Sequence, residues 1–137
     1  MANLLVKFNF KKIGLQSLLN DYFKPFHIKV YIIFFLVSNL LLWLLVWLIV
    51  ANINQDLAIL HYNIIFGIDY IGQPRTIFLL PIYGFGLGWG NWLLSLLIFR
   101  KNKLLIHLLM ASTLVSHIFL GLAAYSIYLV NFVNIKL

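Results

Sequence analysis

The segment LHYNIIFGIDYIGQPRTIFLLP, residues 60–81, gathers His61, Asn63, Asp69 and Arg75 in a chain that is otherwise mostly hydrocarbon. An imidazole and a carboxylate eight positions apart can act as an acid/base pair, and His61, Asn63 and Asp69 together offer nitrogen and oxygen donors to a metal. Both sets are thin. A metal site ordinarily uses three or four protein ligands, and no Ser or Cys in the segment completes a nucleophilic triad. The expectation is therefore a non-enzymatic segment with no metal and no cofactor. Two roles are left: His61 and Asn63 bond backbone groups and hold the segment in shape, or the segment recognises an external peptide, lipid or membrane partner. Gly67 and Gly72 admit backbone angles denied to other residues, Asp69 can cap a turn, and Gln73-Pro74 favours an extended or turning chain ahead of a helix. Apolar residues alternate through Tyr62, Ile64, Phe66, Ile68 and Tyr70, a pattern for a short strand or an apolar plug at a bundle mouth.

What positions this segment follows from composition. A chain of 137 residues with 64% hydrophobic residues and a mean hydropathy of +1.00 carries more apolar surface than one soluble core of that size hides. Three uncharged runs stand out: Val30–Val50 (21 residues), Thr76–Phe99 (24 residues) and Leu104–Val130 (27 residues). The first would extend about 32 Å as a helix, enough to cross a bilayer's hydrocarbon. It exceeds the apolar core of a signal peptide and has no small-residue cleavage site after it. The prediction is an all-α integral membrane protein, three transmembrane helices in an antiparallel bundle. Residues 1–29 form a basic N-terminal segment, 30–130 a single membrane domain with an outward loop at 51–75, and 131–137 a short tail.

Five cations (Lys7, Lys11, Lys12, Lys24, Lys29) precede the first run and three (Arg100, Lys101, Lys103) lie in the link between the second and third. Only Arg75 and Lys136 belong to the other side. Positive residues are retained in the cytoplasm, which predicts a plasma-membrane protein with a cytoplasmic N-terminus and an extracytoplasmic C-terminus, Tyr125 and Tyr128 falling near the outer interface. The net charge of +7 then points to anionic headgroups, at the N-terminal segment and the 100–103 link, and not to nucleic acid. Within IGLQSLLNDYFKPF, Leu15, Leu18, Leu19, Tyr22, Phe23 and Phe26 recur at helical spacing, opposite Lys12, Gln16, Asn20 and Lys24, which predicts an amphipathic helix on the inner leaflet ended by Pro25. The plainer reading is a basic tail that orients the first span.

Polar and small residues inside the runs predict how they pack. Gly84, Gly88, Asn91 and Ser95 share one face of the second span, where a neighbouring backbone can approach, and Gly86/Gly90 form a second small pair. Alternating glycines with no following Lys-Ser/Thr do not make a phosphate-binding loop. Thr113, His117, Gly121 and Ala124 share a stripe of the third span, beside Ser112 and Ser116. His117 is expected to face protein and find a partner, as an ordinary bonded imidazole in preference to a proton relay. Asn39 needs Asn91 or His117 across the bundle, and His107 is expected at the interface. No span holds an Asp, Glu, Lys or Arg, and no inverted repeat is visible, which argues against an ion-coupled carrier.

His61-Tyr62-Asn63, Asp69, Gly72 and Pro81 resemble the H-F-N-x-x-G-x-x-D-x-x-G…LLP signature of a small membrane domain of unknown function found in the sporulation-delay-toxin immunity family. Residues 30–98 carry the resemblance. Gly67 falls one position after the family glycine, and Pro74-Arg75 replace the usual Lys; longer family members have further spans. The resemblance implies a membrane location and a signature lying between the first two spans. It implies no chemistry. Function is thus expected to be that of a binding or accessory protein, immunity-like or receptor-like, with a structural or assembly subunit of a larger complex, docking through the glycine face of the second span, as the alternative. A small transporter component is the remaining possibility.

Overall fold

The structure, a computed structural model, describes residues 15–63 and 65–133. Lys7, Lys11, Lys12 and Lys136, on which part of the charge argument rests, lie outside them. The chain runs α1 (Leu15–Phe23), α2 (Phe26–Asn52), β1 (Ala58–Asn63), β2 (Gly67–Gly72), a 3-10 helix (Pro74–Phe78), α3 (Leu79–Ile98) and α4 (Lys103–Phe132). Three segments, 26–52, 74–98 and 103–132, are helical, long and apolar enough to cross a membrane. Their outward faces are almost wholly apolar, with Leu40, Leu97 and Phe119 among the most exposed side chains. Such a surface suits hydrocarbon as its solvent.

Helix boundaries follow local chemistry. Pro25 lacks an amide hydrogen and takes an extended conformation (φ −68°, ψ 130°), so α1 stops before it and α2 starts after it, four residues earlier than the uncharged run. Pro81 lies in the first turn of α3, where a missing donor costs least. Asn102 caps α4 by accepting from the Leu105 amide at 3.2 Å, and the turn before it closes on the Ile98 carbonyl. So short a link folds α3 and α4 back as an antiparallel pair.

The all-α expectation is corrected by a two-stranded antiparallel sheet inside the 51–75 loop. Bonding their ladder to each other satisfies backbone groups that a bare loop beside the bundle would leave unpaired. The register pairs Ala58 with Gly72, Ile59 with Ile71, His61 with Tyr70, Tyr62 with Ile68 and Asn63 with Gly67, skipping Leu60 on one strand and Asp69 on the other. Ala58 is fully buried and Leu60 packs on a cluster of Leu42, Val46, Ile49, Ile77 and Ala124, which seats the hairpin at one end of the bundle.

The other end is cationic. Asp21 pairs with Arg100 at 2.9 Å, and the rings of His27 and His107 meet at 4.8 Å between centroids, bringing the start of α2 beside the α3–α4 turn. Lys24, Lys29, Arg100, Lys101 and Lys103 therefore share the end remote from the hairpin, whereas Arg75 follows the hairpin directly.

Candidate functional site

The hairpin holds its shape through the residues the sequence singles out. The Asn63 side-chain oxygen accepts from the amides of Ile65 (2.8 Å) and Phe66 (3.4 Å), forming an Asx turn at the tip. Gly67 then returns the chain at φ +77°, a left-handed angle that side chains with a Cβ resist. Asp69, unpaired in the ladder, places Oδ1 2.6 Å from Nδ1 of His61, with both side chains substantially exposed. Gly72 lies under the Leu60 side chain, where a Cβ would come within 2.7 Å of it. Beyond it, the Gln73 carbonyl accepts from both the amide and the hydroxyl of Thr76, which starts the 3-10 helix that leads into α3. Arg75 is exposed in that helix.

A residue that no sequence pattern marks fastens this unit to the bundle. Asn131, in the last turn of α4, accepts from the Ile59 amide at 3.0 Å and donates to the Ile59 carbonyl at 2.8 Å. Its amide thus pairs with β1 as a neighbouring strand would. With Ile59 and Asn131 72 residues apart, no local pattern announces the contact. The tip, by contrast, is bare: Ile65 is 83% exposed and Phe66 80% exposed, and Tyr70 and Ile71 extend the apolar surface along β2.

Inside the bundle, Asn39 donates to the Pro81 carbonyl (3.1 Å) and meets Nε2 of His117 (3.3 Å). Nδ1 of His117 lies 2.8 Å from the Thr113 carbonyl, which can only accept; Nδ1 therefore carries the proton and Nε2 accepts from Asn39. Asn91, the other partner open to Asn39, bonds instead to Ser112 (3.1 Å) and Thr113 (3.0 Å). The glycine face closes on this same chain. A Cβ on Gly84 would come within 3.1 Å of Asn39, His117 and Leu120, and one on Gly88 would fall 2.0 Å from the Phe35 ring. Ser95 is fully buried and pairs with the Tyr22 hydroxyl of α1 at 2.5 Å, while its own hydroxyl reaches the Trp92 carbonyl at 2.7 Å.

Gly84, Gly88, Asn91 and Ser95 thus meet α1, α2 and α4 of this same chain. Gly121 is more open than the other residues of its stripe. Thr113, His117 and Ala124 are buried, but nothing lies within 4 Å of a Cβ on Gly121, which borders an open groove between α2 and α4. Gly86 and Gly90 are similarly open, on the outer side of α3.

No protein-family model, no curated protein and no solved structure matches this chain. What the site can do is thus read from its geometry. An exposed imidazole–carboxylate pair and an exposed apolar tip lie together on the braced hairpin. The described residues contain no group of three or more His, Cys, Asp or Glu side chains able to share a metal.

Proposed function

We propose that this is a plasma-membrane protein crossing the bilayer three times, N-terminus cytoplasmic and C-terminus extracytoplasmic, which acts as a binding or accessory protein through its displayed hairpin. The observation that carries this reading is the contrast within the hairpin. Its base is fixed by Ala58, Leu60 and Asn131, its turn by Asn63 and Gly67, and its tip offers Ile65 and Phe66 uncovered. Bracing lowers the ordering cost of binding, and bare apolar side chains beside polar ones supply the contact. The gathering of described cations at the opposite end supports the orientation through the positive-inside rule. The resemblance to the immunity family implies a membrane location, with the hairpin lying between the first two spans. In this reading α1 lies along the inner leaflet, with anionic headgroups around the cationic end.

The experiment is photocrosslinking in intact cells, with a benzophenone amino acid at position 66 or, as the lipid-facing control, at position 97. A discrete protein or peptide adduct at 66 alone, removed by His61→Ala or Asp69→Ala, is expected. Lipid adducts alone at both positions would overturn the reading.

A second reading, a subunit of a larger membrane complex, is favoured by one observation: Gly86 and Gly90 leave open backbone on the outer side of α3. Under it, Gly86→Leu removes co-purifying partners while the hairpin variants keep them.

A further inference from the structure

Beyond the hairpin, the cationic half of the bundle contains a cavity of about 200 Å³ between the helices. Phe23 of α1, Tyr31 and Phe35 of α2, Trp89 and Trp92 of α3, and Met110 of α4 line it. The two indoles meet edge to face at 5.0 Å, and two of the lining residues, Leu36 of α2 and Trp89 of α3, are about half exposed, so we take the cavity to open between these helices. In a three-span bundle that mouth opens sideways to hydrocarbon, so its natural occupant is a flexible apolar chain. One helical turn from the lining residues Tyr31 and Met110, towards the cationic end, are His27 and His107. The Tyr31 ring touches His107 at 5.9 Å, so the apolar lining passes directly into a polar rim.

Charge completes the site. Lys24 adjoins Phe23, and Lys103 stands one turn before His107 on α4. The only acidic side chain at this end, Asp21, is held by Arg100; the other two acidic side chains, Asp56 and Asp69, lie at the hairpin end. An aromatic cavity for an acyl chain, rimmed by imidazole donors and lysines, is the complement of an anionic phospholipid. We propose that one such lipid of the cytoplasmic leaflet seats an acyl chain in this cavity and its phosphate among His27, His107, Lys24 and Lys103. Phe23 makes α1 part of the wall, and Tyr22, bonded to Ser95, holds α1 there. The site is independent of what the hairpin binds.

The test uses the full-length protein in phosphatidylcholine vesicles, with Trp43→Phe and Trp47→Phe so that only Trp89 and Trp92 emit. Brominated phosphatidylglycerol and brominated phosphatidylcholine with matched chains are each added at the same low fraction. Stronger quenching by the anionic lipid is expected, with the preference falling about fivefold for each of Lys24→Gln and Lys103→Gln. Equal quenching by the two lipids would overturn the proposal. So would an equal anionic preference in the reciprocal protein, Trp89→Phe with Trp92→Phe, since general attraction to the surface would then explain it. A photoactivatable phosphatidylglycerol provides a second reading: adducts within residues 88–92 support the site, and adducts spread evenly over the helices contradict it.

Discussion

Asn39 Nδ2 stands 3.3 Å from His117 Nε2, and the same amide donates to the Pro81 carbonyl, so a single side chain links all three long helices. The imidazole's other nitrogen is engaged by its own helix, so both ring nitrogens of His117 are bonded within the bundle. Asn39→Leu is expected to cost about 1 kcal/mol, the scale of a side-chain hydrogen bond between membrane helices. His117→Leu should cost a similar amount, and the double variant less than the two added together. Unfolding in detergent measures the cycle; strict additivity would show that the contact contributes nothing.

Gly88 and Gly86 provide a matched pair. Gly88→Ala drives a methyl into the Phe35 ring and is expected to destabilise by about 1–3 kcal/mol, whereas Gly86→Ala meets open space. Phe35→Ala combined with Gly88→Ala should recover part of the loss. Thermal midpoints of the four proteins decide it, and equal effects at 86 and 88 would contradict the packing.

The hairpin should come loose from the bundle when Asn131 is changed to Leu. Amide exchange at Ile59 and along β1 is then expected to quicken, while exchange in the middle of α2 and α4 stays as it was. Gly67→Ala acts at the turn instead, at a cost of about 1–2 kcal/mol for the positive φ. An unchanged exchange rate at Ile59 would mean that the clamp is not what seats the sheet.

Docking of α1 depends on a neutral phenol. Burial pushes the Tyr22 hydroxyl above its ordinary range, and the Ser95 hydrogen bond opposes that shift without reversing it. Because the folded value is raised, the contribution to α1 docking is complete below the ordinary tyrosine value of about 10 and is lost as pH rises through the higher one. A spin label at Gln16→Cys, the only thiol in a cysteine-free chain, should gain mobility over that alkaline interval. Tyr22→Phe should remove the pH dependence.

The sequence discloses the three long helices because uncharged runs of twenty or more residues have few other solutions. Their ends were less legible: α2 begins at Phe26, since Pro25 sets the boundary and Lys29 is tolerated at the bundle's end. The alternation from Tyr62 to Tyr70 hinted at a strand, but pairing required the Asn63 turn and the Gly67 angle to act together, and β2 exposes residues on both faces. Glycine spacing marked Gly84 and Gly88 as close-approach sites without saying which helix approaches. Contacts such as Tyr22–Ser95 and Ile59–Asn131 join residues more than seventy positions apart and leave no local trace. His27 stands beside His107 for the same reason: two helix starts converge there, although neither sequence neighbourhood is distinctive.

The most direct test of the whole account is the sidedness of the two bundle ends. Single cysteines replace His61 and Lys101 in turn and are exposed to a membrane-impermeant maleimide, in intact cells and after permeabilisation. The account predicts labelling at 61 in intact cells and at 101 only once the membrane is opened. Labelling of both positions from the same side would contradict it.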